Sequence, residues 1–384
     1  MNSNYRSVYI AFDPYPSYKG SAIHIEKASG VLSKKFGPSL LLTLSGHTDQ
    51  VPVKNIFHQQ ADIEESNFLR RAFTFSKWVD QVLDKQYNLS VGHFRDIWGG
   101  MSIIKRPHIT SVFEVNGLPS IELINRYPYL PKDTIQKIRA IEDGCLQKAN
   151  VIVCPSEIIK NHLIQRGTLE EKIQVISNGA DLPDTYSKLD DLPEKYIVYF
   201  GALQPWQGVD VLLKAFQYLR DKPDLHLVIC SSHKEKFSRP YKKLVTKLEI
   251  EQQVIWKHQL HKDILHQIIQ HAICTVAPLT ECSRNLEQGC SPLKIFESMA
   301  CNTPVIAADL PVIREILDEE REVRFFQPER PAELARQIRI LTDYPDVAQS
   351  LAQNAFKKFQ KNYTWDKIDL QLDKFYTNLL AKAY

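Results

Sequence analysis

The sequence predicts an α/β protein built as two Rossmann-like, doubly wound domains that face each other across a cleft. Its N-terminal end runs buried strand, glycine-bearing loop, helix. Val8 to Phe12 (VYIAF) is followed by a Pro-rich loop, Asp13 to Ser17, and Gly20-Ser21 then opens a helical pattern over Ala22 to Lys35. The same order restarts in the second half, with Tyr196 to Phe200 (YIVYF), Gly201 to Gly208 (GALQPWQG) and a helix over Val209 to Leu219. Between the two, Asp181 to Lys195 loses all periodicity and turns to Asp, Pro, Ser and Lys. The domains are therefore expected at 1–185 and 195–364, with a C-terminal segment left over.

Bulk composition agrees. A chain of 384 residues is long for one core, and 43% hydrophobic with 24% charged residues is ordinary globular composition. A formal charge of +3 is too mild for a nucleic-acid binder, though it suits an anionic small substrate or a loose peripheral membrane contact. The seven cysteines form no C-x-x-C pair, and Cys154, Cys230 and Cys274 fall in apolar runs. That usage points to a reducing compartment and a cytoplasmic location. The N-terminus lacks the charged leader and long apolar core of a signal peptide, and no run of 18 apolar residues occurs.

In chain order, His24 is expected in the first turn of the first helix, its ring turned to a ligand or to solvent. Ser90 to Gly100 (SVGHFRDIWGG) places His93, Arg95 and Asp96 just after a strand-like segment. Thr110 to Pro119 (TSVFEVNGLP) is a strand ending in Glu114 and Asn116. Two neighbouring strand ends with polar groups point to one site, since ligands bind at strand ends of open α/β sheets. A helix over Asp133 to Ala149, a strand at Val151 to Cys154 and a helix over Glu157 to Arg166 capped by Ser156 come next, then a strand over Ile173 to Ile176. The second half continues with strands at Leu225 to Cys230, Val254 to Trp256 and Ile273 to Ala277, and a helix over His261 to His271. Thr364 to Tyr384 carries Ile368, Leu372, Phe375, Tyr376 and Leu379 at helical spacing and must pack on something.

Thr280 to Leu317 is the richest stretch. Ser291 reads as an N-cap and Pro292 as the first residue of a helix reaching Cys301, with Asn302 as a left-handed cap. Lys294 in the first turn runs against the helix dipole, which an anion opposite it would explain. Glu297, three residues on, shares its face. A phosphate reader beside a hydroxyl reader suits a nucleoside diphosphate; an exposed lysine beside a solvated glutamate is the plain alternative.

Taken together, G201-A-L-Q-P-W-Q-G208 after a strand and S291-P-L-K-I-F-E297-S-M-A-C-N-T-P-V-I-A-A-D309 resemble the nucleotide-sugar domain of GT-B glycosyltransferases, more narrowly the retaining family four. The resemblance is strongest over Tyr196 to Leu317. It implies the twin-Rossmann fold, a donor-bound cleft, a metal-independent mechanism and a C-terminal helix (365–384) crossing back to the N-terminal domain. It also implies departures. The family's paired glutamates fall on Gly289 and Glu297, the second of which contacts the donor ribose in relatives. Its diphosphate-gripping arginine and lysine fall on Ala202 and Gln207. Arg284 and Lys294 are the cations left to take over that grip, by a bidentate fork and a point charge respectively.

The donor-binding positions are thus Gly20, Ser21, Gln207, Gly208, Arg284, Ser291, Leu293, Lys294 and Glu297. The catalytic candidates are His93, Glu114, Asn116 and Lys294, with the choice between His93 and the Glu114/Asn116 pair at the reacting sugar left open. No metal or other cofactor is expected. The expected activity is retaining transfer of a sugar from a UDP- or GDP-linked donor to a hydroxyl of a saccharide or lipid-linked saccharide. A nucleotide-sugar epimerase and a catalytically degenerate sugar-nucleotide binding protein are the rivals.

Overall fold

The computed structural model describes residues 5–46 and 55–382. Contacts divide the chain into two compact units, Met1–Ser177 with Lys367–Tyr384, and Asn178–Asp366.

Among the described residues, the first unit holds seven parallel strands, β1 (Ser7–Tyr15), β2 (Ser39–Ser45), β3 (Ile56–Ala61), β4 (Val91–Phe94), β5 (Thr110–Glu114), β6 (Val151–Cys154) and β7 (Ile173–Val175), in the order β3-β2-β1-β4-β5-β6-β7. Helices α1 (Gly20–Phe36), α2 (Phe68–Leu83), α3 (Ile97–Ile103), α4 (Pro119–Arg126), α5 (Lys132–Lys148) and α6 (Glu157–Gln165) carry the chain between them. Nearly all of β2 and β4 and the first five residues of β1 are buried, as parallel strands between helix layers must be. That is why VYIAF reads as an unbroken apolar run rather than an alternating one.

The second unit repeats the plan with six parallel strands, β8 (Lys195–Gly201), β9 (Leu225–Ser231), β10 (Val254–His258), β11 (Thr275–Ala277), β12 (Val305–Ala308) and β13 (Val323–Phe326), ordered β10-β9-β8-β11-β12-β13. Its helices are α7 (Val209–Phe216), α8 (Arg239–Lys247), α9 (Lys262–Gln270), α10 (Leu293–Ala300), α11 (Pro311–Arg314), α12 (Pro331–Asp343) and α13 (Pro345–Asn362). In both units the chain first steps outward to one side and then resumes on the other. Strand order therefore reverses between β1 and β4, and between β8 and β11. Crevices outside the carboxyl ends of strands at such reversals are where open α/β sheets bind ligands.

The last helix, α14 (Trp365–Lys382), joins the first unit from Lys367 onward. Its Tyr376 is fully buried, edge-on to Phe36 of α1 with ring centroids 5.6 Å apart. Lys35 Nζ donates to Thr377 Oγ1 at 2.6 Å. The amphipathic stripe thus packs on α1. Ala383 and Tyr384, the end of the expected helix, lie outside the described residues.

Three local expectations are corrected. Gly20 and Ser21 belong to the first turn of α1 rather than to a loop, which moves His24 into the second turn. His93 lies within β4 rather than after it, and Asp96 is the N-cap of α3; its Oδ1 accepts from the backbone N–H groups of Trp98 and Gly99, both at 3.0 Å. Helix α10 starts at Leu293, not Pro292. Pro292 has ψ 111°, so it is extended, and its carbonyl accepts the first helical bond, from Ile295 N–H at 3.0 Å. Ser291 therefore does not cap the helix. Asn302 does adopt the left-handed conformation, at φ 53°. Among the described residues, no helix is long and apolar enough to cross a membrane.

Candidate functional site

Polar residues gather at the strand-order reversal of each unit. In the second unit the central group is Lys294. Its Nζ donates to Gln207 Oε1 at 2.6 Å, from the first turn of α10 to the loop after β8, and lies 4.2 Å from the centroid of the Tyr199 ring. The side chain is 8% exposed and forms no ion pair among the described residues. Burial is the main cause of its pKa falling to about 7; the charge of Arg284 lowers it further, against Cys290 and Glu297. A buried ammonium with an amide and a ring face for company is poorly compensated, and an anion would complete it.

Arg284 stands in a single π-helical turn, Arg284–Gln288, with Cζ 5.1 Å from the Trp206 ring centroid and Nη1 donating to Asn285 Oδ1 at 3.1 Å. Fully buried Asn285 ties the same two loops together, donating through Nδ2 to the carbonyls of Thr280 at 2.8 Å and Trp206 at 3.1 Å. The loop holding Gln207 and the turn holding Arg284 are thus one built structure. Two glycines allow it. Gly289 has φ 85°, a conformation that side chains disfavour, which accounts for glycine there. Gly208 has φ 66°, and a Cβ on it would lie 1.7 Å from the carbonyl oxygen of Pro278. Gly208→Ala must therefore displace this loop, and we expect it to cost about 3 kcal/mol or more in urea unfolding.

Glu297 is partly buried, and burial raises its pKa to about 7 against the pull of Lys262 and Lys294. Lys262 is itself ion-paired with Asp181. Ser291 contributes its carbonyl, which accepts from Asn178 Nδ2 at 2.7 Å.

In the first unit the central group is Glu114, at the end of β5 and 7% exposed. The register sets Tyr9 beside His93 and His93 beside Val112, so Glu114, two residues further along, shares their face. Its Oε1 accepts from Arg95 at 2.8 Å and from Asn116 Nδ2 at 2.5 Å, and its Oε2 accepts from the Tyr9 hydroxyl at 2.7 Å. Burial would raise its pKa, but Arg95 holds the carboxyl well below the usual carboxylate range. His93 shares a 2.6 Å hydrogen bond between Nδ1 and the Tyr376 hydroxyl. Its Nε2 is 3.2 Å from Glu114 Oε2 without meeting hydrogen-bond geometry. His24 Nδ1 lies 3.7 Å from Glu114 Oε1, and burial, then Arg95, lowers its pKa to about 3, so it is neutral. Ser21 Oγ, in the first turn of α1, is buried without a hydrogen-bond partner among the described residues.

The structure therefore brings His93, Arg95, Glu114 and Asn116 into one network, and Gln207, Gly208, Arg284 and Lys294 into another. Asp96 is a helix cap instead. Tyr9, Tyr199 and Tyr376 were not among the candidates. Each lies in an apolar run whose pattern reads as core, and only the tertiary contact shows the hydroxyl or ring face in use. Among the described residues, no group of three or more His, Cys, Asp or Glu is arranged to hold a metal ion.

Two Rossmann-like α/β units of parallel strands, each with its polar residues at a strand-order reversal, define the GT-B class. The match to known families is direct. Residues 186–358 match the family model described as "Glycosyl transferases group 1" and residues 45–183 the one described as "Glycosyltransferase Family 4". Each half of the chain is thus similar to a glycosyltransferase family model. It is 23% identical to the O-antigen chain mannosyltransferase RfbU of Salmonella typhimurium over 243 residues, 62% of this chain and 64% of that protein. It is 29% identical to a D-inositol 3-phosphate glycosyltransferase of Salinispora tropica over 272 residues, 64% of this chain and 55% of the relative. The alignments to these two relatives thus span less than two thirds of their length. In fold it resembles sucrose-phosphate synthase from Thermosynechococcus elongatus, with a TM-score of 0.81 at 18% identity over 98% of this chain and 100% of that one. Anabaena Alr3699/HepE, solved in complex with UDP and glucose, gives a TM-score of 0.74 at 17% identity over 97% and 99% of the two chains.

Proposed function

We propose that this chain transfers a sugar, with retention and without a metal ion, from a nucleoside-diphosphate sugar to a hydroxyl of a saccharide or lipid-linked saccharide acceptor. The observation that carries the reading is Lys294. Its amine is buried, has no carboxylate partner among the described residues and meets Gln207 at the strand-order reversal, where a diphosphate would supply the missing charge. Lys294 reaches into the Gln207 loop itself, so the grip on the diphosphate stays at that loop while the cation comes from α10. Arg284 is the second donor, and Glu297 suits a ribose hydroxyl. Ser21, with its unpartnered hydroxyl, and Gly20 fit a phosphate or sugar oxygen. On the first unit, the Glu114 network with His93 and Asn116 would hold the reacting sugar or the acceptor hydroxyl. Front-face attack needs no protein nucleophile, which suits a carboxylate already saturated by Arg95, Tyr9 and Asn116. The structure of HepE with UDP supports a UDP-linked donor. A cytoplasmic site of action, with peripheral contact to a membrane, fits a lipid-linked acceptor.

The test is a thermal-shift panel of UDP, GDP, ADP and their sugars, followed by product analysis. A nucleotide at a hundred times its dissociation constant adds about 2.7 kcal/mol of stability. No response to any nucleotide would sink the reading. Stabilisation without glycoside formation would favour a degenerate binding protein, and an isomerised nucleotide sugar an epimerase. Turnover is expected to be unchanged by EDTA.

A further inference from the structure

Beside the first unit's charge network, partly buried aromatic residues line the edge of the core. Phe12 follows the buried core of β1. Its ring stands 5.6 Å from that of Phe68 on α2 and 6.4 Å from that of Trp98 on α3. Phe68 in turn lies 6.2 Å from Tyr127, the residue after α4. Two guanidiniums converge on this platform. Arg71 Cζ is 5.9 Å from the Phe12 centroid and 6.0 Å from that of Phe68, and Arg126 Cζ is 5.8 Å from Phe68 and 5.4 Å from Tyr127. Arg71 spends one N–H on the Glu65 carbonyl at 2.9 Å. Among the described residues, neither arginine has a carboxylate within ion-pair distance.

Arginine on a protein surface commonly lays its stem on apolar neighbours while the head stays in water. Here both heads lie within 6.0 Å of the Phe68 centroid with no carboxylate beside them among the described residues, an arrangement that an anion would complete. The location also matters. Phe12 N–H donates to Asp96 Oδ2 at 2.5 Å, and Asp13, the next residue, lies 3.7 Å from Arg95, which holds Glu114. The platform is therefore one residue along the chain from the buried network.

We infer that Phe12, Phe68, Tyr127, Arg71 and Arg126 form an acceptor subsite for a phosphate-bearing compound. The aromatic rings take a sugar face or an apolar moiety, and the two guanidiniums take the phosphate. Both guanidiniums lie beside the Phe68 ring, and a guanidinium offers phosphate oxygens a forked pair of hydrogen bonds rather than a point charge. The assignment as an acceptor subsite rests on the transferase reading; the anion site itself does not.

The probe is phenyl phosphate, titrated calorimetrically into the full chain saturated with UDP, so that phosphate cannot be read at Lys294. Arg126→Ala and Arg71→Gln should each weaken binding about tenfold, the value of one charge-assisted hydrogen bond. Phe68→Ala should weaken it similarly, benzyl alcohol should bind far more weakly, and exposed Arg70→Ala should change nothing. Equal loss in Arg70→Ala, or no loss in the Arg71 and Arg126 variants, overturns the proposal. Flotation with vesicles of equal parts phosphatidylglycerol and phosphatidylcholine separates the sources. If the two variants lose vesicle binding while phenyl phosphate titrates as before, the patch is a membrane contact and the subsite is refuted. If UDP itself fails to bind, the donor reading fails alone, and the same titration without UDP still decides this one.

Discussion

Lys294→Met is expected to lower turnover by about two to three orders of magnitude while making the unliganded protein more stable. The charge on a leaving phosphate grows in the transition state, and removing one aimed donor of this kind costs about 10²–10³ in kcat. The stability gain has a different origin. Burial lowers the folded-state pKa of Lys294 from 10.5 to about 7, so between those values the unfolded chain holds more protons than the folded one. Stability therefore rises with pH across that window, and below about pH 7 the folded protein carries the full cost of a buried ammonium. Methionine removes both the cost and the slope. An anionic ligand works the other way. By raising the pKa of Lys294 it makes binding take up a proton, so UDP affinity should fall as pH climbs from about 7 to 9. Lys294→Arg, always charged, should flatten that profile. Calorimetric UDP titrations at three pH values read it, and a flat wild-type profile would remove Lys294 from the phosphate site. Arg284→Ala should also lower turnover, by loss of the bidentate fork; near-full activity there would leave Lys294 as the cation holding the diphosphate.

Much of this was legible in the sequence, for reasons that are local. Unbroken apolar runs such as YIVYF mark strands buried on both faces, and alternating them with glycine-bounded loops and amphipathic helices leaves few folds open. Lys294 stood out because a cation in a first helical turn needs a reason. What escaped was non-local or masked by capping. The contact from Lys294 to Gln207 joins residues 87 apart in sequence, and that from His93 to Tyr376 joins residues 283 apart. No periodicity reports either. The start of α10 was misplaced because Ser-Pro is a good cap-and-first-residue pair, yet the extended ψ of Pro292 lets its own carbonyl begin the helix. Strand β3 escaped because, at the sheet edge, it is exposed along most of its length and carries His58, Gln59 and Gln60. Helix α8 escaped because only Val245 in it is buried.

Glu114→Ala is expected to lower stability by about 3–5 kcal/mol, the usual result of removing one partner from a buried ion pair. Arg95 would keep its charge at 12% side-chain exposure with Asp13, at 3.7 Å, as its remaining carboxylate. The pH dependence identifies the cause. The folded pKa of Glu114 is depressed, so its contribution is fully present above the unfolded value of about 4.3. It is lost as pH falls toward the folded value. The gap between wild type and variant in urea unfolding should therefore be widest at neutral pH and close on acidification. A variant that stays equally destabilised at pH 3 would point to lost packing instead. Adding Arg95→Met to Glu114→Ala separates stability from function. Removing both charges should restore most of the stability, because an apolar pair avoids the desolvation of an ion pair. It should not restore turnover, because Asn116 and Tyr9 would lose the acceptor that orients them beside His93. Recovery of activity together with stability would mean that the network only holds the fold, and that the reacting sugar is met elsewhere.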